Sequence, residues 1–223
     1  MVLTASSILS TAISTKVHQV VGTYISSDIH GEPIKVSGKI IYPKSGKVKN
    51  MMLVSHFTIG SNAECPSESF SFESLYAALG YAVVISDYIG FGVTVDHVHP
   101  YLQAETTARN VIDFGIAARP FLQDRGLSPN SPEIILLGYS QGGAATIQML
   151  LELESRDFPD ERINEVYAGA GPYDLMAFFD FFMNNDNLYG RTGFVPYTFR
   201  GICYGENISV DYSKIYNPSL MEK

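Results

Sequence analysis

Five residues, Gly138-Tyr139-Ser140-Gln141-Gly142, spell a G-x-S-x-G pattern. Alone the pattern is weak, because glycine and serine are common. Its setting strengthens it. The apolar run Glu133–Leu137 (EIILL) precedes it, and GGAATIQMLLELE follows. A buried strand that turns sharply into a helix at a serine leaves the hydroxyl exposed at the turn, where it can attack a carbonyl carbon. Gly138 and Gly142 fit this reading, because side chains there would collide with the adjoining strand and helix. Gly142, Gly143, Ala144 and Ala145 let that helix lie close on the sheet. The helix N-terminus adds positive potential beside the Ser140 oxygen. The Gln141 backbone N–H is a candidate oxyanion donor. The competing reading is a glycine-rich turn with an idle serine.

Two further segments carry chemistry-bearing side chains. In Ser55-His56-Phe57-Thr58-Ile59-Gly60, His56 is either a base or an anchor that fixes the loop backbone, and we read it as the anchor. In Asp87-Tyr88-Ile89-Gly90-Phe91-Gly92, Asp87 is read as a structural carboxylate tying down the loop after a strand, with Tyr88 bordering a pocket. His97 and His99 follow. They would make a metal pair only with a third ligand, and none is evident, so no metal and no cofactor is expected. Cys65 and Cys203 are the only cysteines, too few for a disulfide framework; they form one bridge or remain two buried thiols.

The elements that must position these residues alternate along the chain. His18–Ser26 and Ile34–Tyr42 alternate in the strand period around the turn signal His30-Gly31-Glu32-Pro33. Met51–Phe57 and Tyr81–Tyr88 are short continuous apolar runs, as strands buried on both faces require. Phe70–Leu79 reads as a helix stopped by Gly80. Gln103–Arg119 reads as a helix stopped by Pro120, with Ala104, Ala108, Val111, Ile112 and Gly115 on its inner face. Gly142–Leu153 is the helix after the serine, and Ile163–Ala170 is a sixth strand. Strand–helix repeats after two antiparallel strands predict an α/β fold with a largely parallel, doubly covered sheet. After Asp174 the pattern breaks into an aromatic helix, Leu175–Met183, and an irregular Gly- and Tyr-rich stretch to Lys223.

Composition narrows the function. The 223 residues are enough for a full core, and 46% are hydrophobic, which argues against bulk disorder. A net charge of −8 disfavours nucleic acid and anionic membrane as partners. No apolar run approaches the roughly 20 residues that cross a bilayer. The start, Met1 to Thr15, lacks the basic segment of a secretory signal, so the compartment is left open.

Taken together, SHFTIG, DYIGFG, LLGYSQGG and AGAGPYDL resemble the α/β-hydrolase superfamily, and within it the secreted lipase- and esterase-like serine hydrolases, from about Val20 to Asp174. The resemblance implies a three-layer α/β-hydrolase fold. It implies Ser140 as nucleophile, oxyanion N–H donors from Gln141 and from Phe57 or Thr58, and an ester or lipid substrate. Phe57 departs from the glycine usual after the histidine. The resemblance also hints at export.

One part of the expected machinery does not follow. Such hydrolases place an acid and then a histidine after the serine. All five histidines, His18, His30, His56, His97 and His99, precede Ser140. The expectation is therefore a hydrolase cut before its last strands: a core over residues 1–174, then a lid-like segment over 175–223 whose helix carries Phe178, Phe179, Phe181 and Phe182. Activity would be impaired, and an incomplete sheet edge would promote self-association. A rewired triad, with Asp174 as acid and His56, His97 or His99 as base, is one alternative. Another is a separate chain supplying the missing strands. An aminopeptidase-like peptidase and a non-catalytic binding protein are the competing functions.

Overall fold

The computed structural model describes residues 16–128, 133–155, 162–184 and 193–215. Six strands form one sheet: β1 (Val17–Ser27), β2 (Pro33–Pro43), β3 (Met51–Ser55), β4 (Ala82–Ser86), β5 (Glu133–Tyr139) and β6 (Arg162–Gly169). Their order is β1-β2-β4-β3-β5-β6. β1 and β2 run antiparallel, and β2 meets β4 antiparallel. β3 pairs in parallel with both β4 and β5, and β5 pairs in parallel with β6. Each parallel step needs a crossover, so the helices between strands end up on the sheet faces.

The core divides at the sheet. On one face Val36, Leu53, Val84 and Leu136 pack against Val111, Ile112 and Leu122 of α2 (Ala104–Gln123) and Met149 of α3 (Gln141–Ser155). On the other, Ile41, Met52, Val54, Val83 and Ile85 meet Ala77 of the short helix α1 (Ser74–Ala78). Successive residues of β3 therefore point into different cores, which is why its sequence is apolar without alternation. Ala108, Val111, Ile112 and Gly115 of α2 are buried as their spacing requires, whereas Ala104, the first helical residue, is only half-buried. A Cβ on Gly115 would lie 2.7 Å from Leu53 Cδ2, so the helix seats close to the sheet.

Several boundaries differ from the sequence expectation. The helix expected over Phe70–Leu79 begins only at Ser74. Pro120 does not stop α2, which runs on to Gln123. Pro120 lies in the last turn, and the hydrogen bond its ring removes is the one to Ile116, four residues back and exposed. The tail is not wholly irregular: beyond α4 (Leu175–Met183) it forms α5 (Phe194–Gly205). Cys65 and Cys203 are both buried and free, so the one-bridge option gives way to two thiols. Residues 1–15 and 216–223 lie outside the described residues, as does the side chain of Phe182.

Candidate active site

Ser140 sits between the last residue of β5 and the first of α3. Its φ is +56°, in the left-handed region that a residue with a Cβ rarely adopts. The turn is held on both sides: the Ser140 N–H donates to Gly169 O at 2.8 Å, and the Ser140 carbonyl accepts from Gly143 N–H at 2.8 Å. The flanking glycines are sterically required. A Cβ on Gly138 would lie 2.1 Å from Gly142 O, and one on Gly142 would lie 2.0 Å from Ser55 O. That second contact shows how tightly the turn is seated on the end of β3, where Ser55 pairs with Gly138. Gln141 is the first residue of α3, so its N–H has no helical acceptor four residues back.

The loop after β3 is braced from below. His56 Nδ1 lies 2.7 Å from Phe57 O, a carbonyl that accepts only, so this contact is a hydrogen bond when Nδ1 carries the ring's proton. Its Nε2 faces a second carbonyl, Asp87 O, at 3.3 Å. The ring stacks on Tyr88 with centroids 3.8 Å apart, and Tyr88 Oη donates to His56 O at 3.1 Å. Burial holds the His56 pKa below the ordinary histidine range. Tyr88 itself has φ of +66° and is buried. Asp87 is buried and accepts from Ser37 Oγ at 2.5 Å and from Ser67 N–H at 2.8 Å. This carboxylate ties the loops after β4 and before α1 to β2. Phe57 is 53% exposed, and Thr58 Oγ1 shares a hydrogen bond of 2.9 Å with Tyr101 Oη.

The turn, Gln141, His56 and the start of the Phe57–Thr58 loop thus converge at the C-terminal ends of β3 and β5. Other candidates are placed elsewhere. Asp174 is exposed and caps α4, accepting from Ala177 N–H at 2.9 Å. His97 is exposed, and His18 lies on β1. Among the described residues, no group of three or more His, Cys, Asp or Glu side chains could hold a metal ion. None of their helices is long and apolar enough to cross a membrane.

The role of His99 emerges only in the folded structure. His99 is buried, its Nδ1 donates to Ile89 O at 2.7 Å, and its Nε2 lies 2.8 Å from Gln141 Nε2. Phe91, Tyr101 and Tyr197 pack their rings around it, with centroids 5.0, 6.0 and 5.7 Å away. Burial pushes its pKa down to about 4. The pair is 42 residues apart in sequence, and no local pattern marks it.

A family model for secretory lipases matches residues 65–207. The chain belongs to the secretory lipase family. The matched stretch runs from the loop before α1 through α5 and contains the whole Ser140 turn. No curated protein sequence matches the chain. Among solved structures, a hydrolase candidate from Legionella pneumophila superposes with a TM-score of 0.81 at 24% identity, over 99% of this chain and 64% of that one. The rice cell wall degrading esterase LipA of Xanthomonas oryzae gives 0.69 at 26% identity, over 83% and 52%. Candida antarctica lipase A gives 0.56 at 18% identity, over 90% and 46%. This lipase-family chain therefore has an α/β-hydrolase fold and spans about half to two thirds of the length of these structures.

Chemically, a serine held at such a turn beside a helix N-terminus suits acyl transfer, provided a base takes its proton. Among the described residues, no hydrogen bond joins the Ser140 hydroxyl to a histidine.

Proposed function

We propose that this chain carries the nucleophile side of a carboxylic ester hydrolase site. Ser140 attacks the ester carbonyl, the alcohol leaves, and water releases the acid from the acyl-enzyme. The Gln141 N–H and an N–H of the Phe57–Thr58 segment stabilise the tetrahedral oxyanion. The observation that carries this reading is the strained Ser140 backbone, at φ +56°, held between β5 and α3 by glycines with no room for a side chain. Membership of the secretory lipase family supports an ester substrate. The apolar groove beside the Ser140 turn, lined by Val54, Phe57, Phe72, Leu75 and Leu137, favours an apolar acyl or aryl group.

The general base and its acid are, in this proposal, supplied from outside these 223 residues. Both ring nitrogens of His56 face backbone carbonyls, His99 gives its Nδ1 proton to Ile89 O, and the His99 Nε2 is already occupied by Gln141. We read residues 1–174 as the hydrolase core and 175–223 as a lid-like segment. A fluorophosphonate probe tests the serine. The expected result is slow but specific labelling of Ser140, lost in Ser140→Ala, with weak p-nitrophenyl ester turnover. Labelling that persists in Ser140→Ala, or none in the parent chain, would overturn the proposal.

A further inference from the structure

We infer that His99 is a positioning residue for the oxyanion donor: a neutral strut that ties the side chain of Gln141, and through it the start of α3, to the loop after β4. The inference rests on the reading of Ser140 as nucleophile and of the Gln141 N–H as oxyanion donor.

The polarity of the strut follows from its partners. Ile89 O accepts only, so the proton between it and His99 belongs to Nδ1. A neutral ring then has a lone pair on Nε2, which faces the Gln141 side-chain amide at 2.8 Å. Gln141 Nε2 donates and His99 accepts, so the chain of hydrogen bonds runs Gln141 to His99 to Ile89 with every proton assigned. Both side chains are buried, with Gln141 at 3% and His99 at 7% exposure, so water does not compete for these bonds.

The fold fixes the far end of the strut. Gly90 has φ of +94°, and a Cβ there would lie 2.6 Å from His99 Cβ, so the loop can close on the histidine only through a glycine. Tyr197 of α5 and Tyr101 pack on the ring from other directions. The near end is held less firmly. The Gln141 N–H is at the first position of α3, before the helical ladder begins, and the preceding residue has positive φ. A side-chain tether at that residue limits how far its backbone can rotate. His99 is thereby excluded from acting as the base: the lone pair that would take a proton from Ser140 is the one that holds Gln141.

The test uses the full chain and the fluorophosphonate probe, with the maximal labelling rate and the probe's apparent affinity measured separately. His99→Asn keeps a donor for Ile89 O and removes the acceptor for Gln141. His99→Gln places an acceptor near the Nε2 position. Loss of an oxyanion donor costs about 100- to 1,000-fold in other serine hydrolases, so a displaced one is expected to cost roughly tenfold or more. We expect His99→Asn to lower the labelling rate by that factor with affinity unchanged, and His99→Gln to recover most of it. Gln141→Met is expected to show the same loss, with no further loss when combined with His99→Asn. A wild-type rate in His99→Asn, or losses that multiply in the double variant, would overturn the inference. Should the parent chain fail to label, the functional reading falls, and the strut is judged by NMR alone. The Gln141 backbone amide resonance must then shift in His99→Asn and return towards its parent position in His99→Gln; an unmoved resonance overturns the inference. Where His99→Asn does not fold, Gln141→Met and His99→Gln carry the same comparisons.

Discussion

Burial makes His99 a source of acid sensitivity as well as a strut. Its pKa is about 4, whereas an exposed histidine titrates near 6.5. The unfolded chain therefore binds a proton more readily than the folded one between those values. Stability falls as the pH falls through that window and loses nothing further from this group below about 4. A displacement of this size corresponds to about 3 kcal/mol. The groups around the ring are the Ile89 carbonyl, the Gln141 amide, and the rings of His56, Tyr88, Phe91, Tyr101 and Tyr197; none is a carboxylate that could neutralise an imidazolium. His56 is shifted in the same direction by burial and adds to the slope. Urea unfolding midpoints should drop between pH 6.5 and 4, and His99→Asn should flatten much of that dependence; an unchanged slope would show that other groups dominate. A steric prediction also belongs to single residues. Gly142→Ala brings a Cβ to 2.0 Å from the Ser55 carbonyl, against backbone that cannot yield, and should cost about 3 kcal/mol or more or prevent folding. Gly22→Ala meets nothing within 4 Å and should be neutral or slightly stabilising in the same denaturation assay.

Elements were legible in the sequence where a local pattern sufficed. The central strands announce themselves as continuous apolar runs because both faces are covered, and α2 by the spacing of Ala108, Val111, Ile112 and Gly115. The Ser140 turn is legible because strand, glycines and helix are contiguous. The anchoring of His56 and Asp87 fits their positions at strand ends. The His99–Gln141 contact is not legible, since it exists only after a crossover brings two loops together. α5 was obscured by its glycines and tyrosines, although Phe194, Tyr197, Thr198 and Gly201 recur at i, i+3, i+4 and i+7. Gly201 explains why a glycine is retained in that helix. A Cβ there would lie 2.5 Å from Tyr101 O, so the helix backbone rests directly on the loop before α2. Gly201→Val should lift α5 off that loop. Amide exchange over residues 198–205 is then expected to speed by about tenfold or more while β3 and β5 stay protected, because local opening is separable from global unfolding. Equal loss of protection in the sheet would show instead that α5 is integral to the core.

The molecule as a whole is unevenly covered. One sheet face lies under α2 and α3, whereas among the described residues the other is met by the five-residue α1. Around α1, Phe72 is 71% exposed, Leu75 47% and Leu79 56%, and Tyr139 nearby is 61% exposed. A groove of about 340 Å³ runs between Val54, Phe57, Phe72, Leu75, Tyr76 and Leu137, beside the Ser140 turn. Contiguous apolar surface of this kind drives association in water. Among the described residues β6 is also an edge strand, with Tyr167 53% exposed. The two features make different predictions for self-association. If the groove dominates, replacing Phe72 and Leu75 with Glu should shift sedimentation towards monomer and reduce binding of an apolar fluorescent dye. If the edge of β6 dominates, those substitutions should leave the association constant unchanged, because edge pairing runs through backbone groups. We expect the groove to dominate, since its side chains present far more apolar area than a single half-exposed strand. The probe-labelling rate at Ser140 should rise in the same variant if association blocks the mouth of the site, which adjoins the groove through Phe57 and Tyr139.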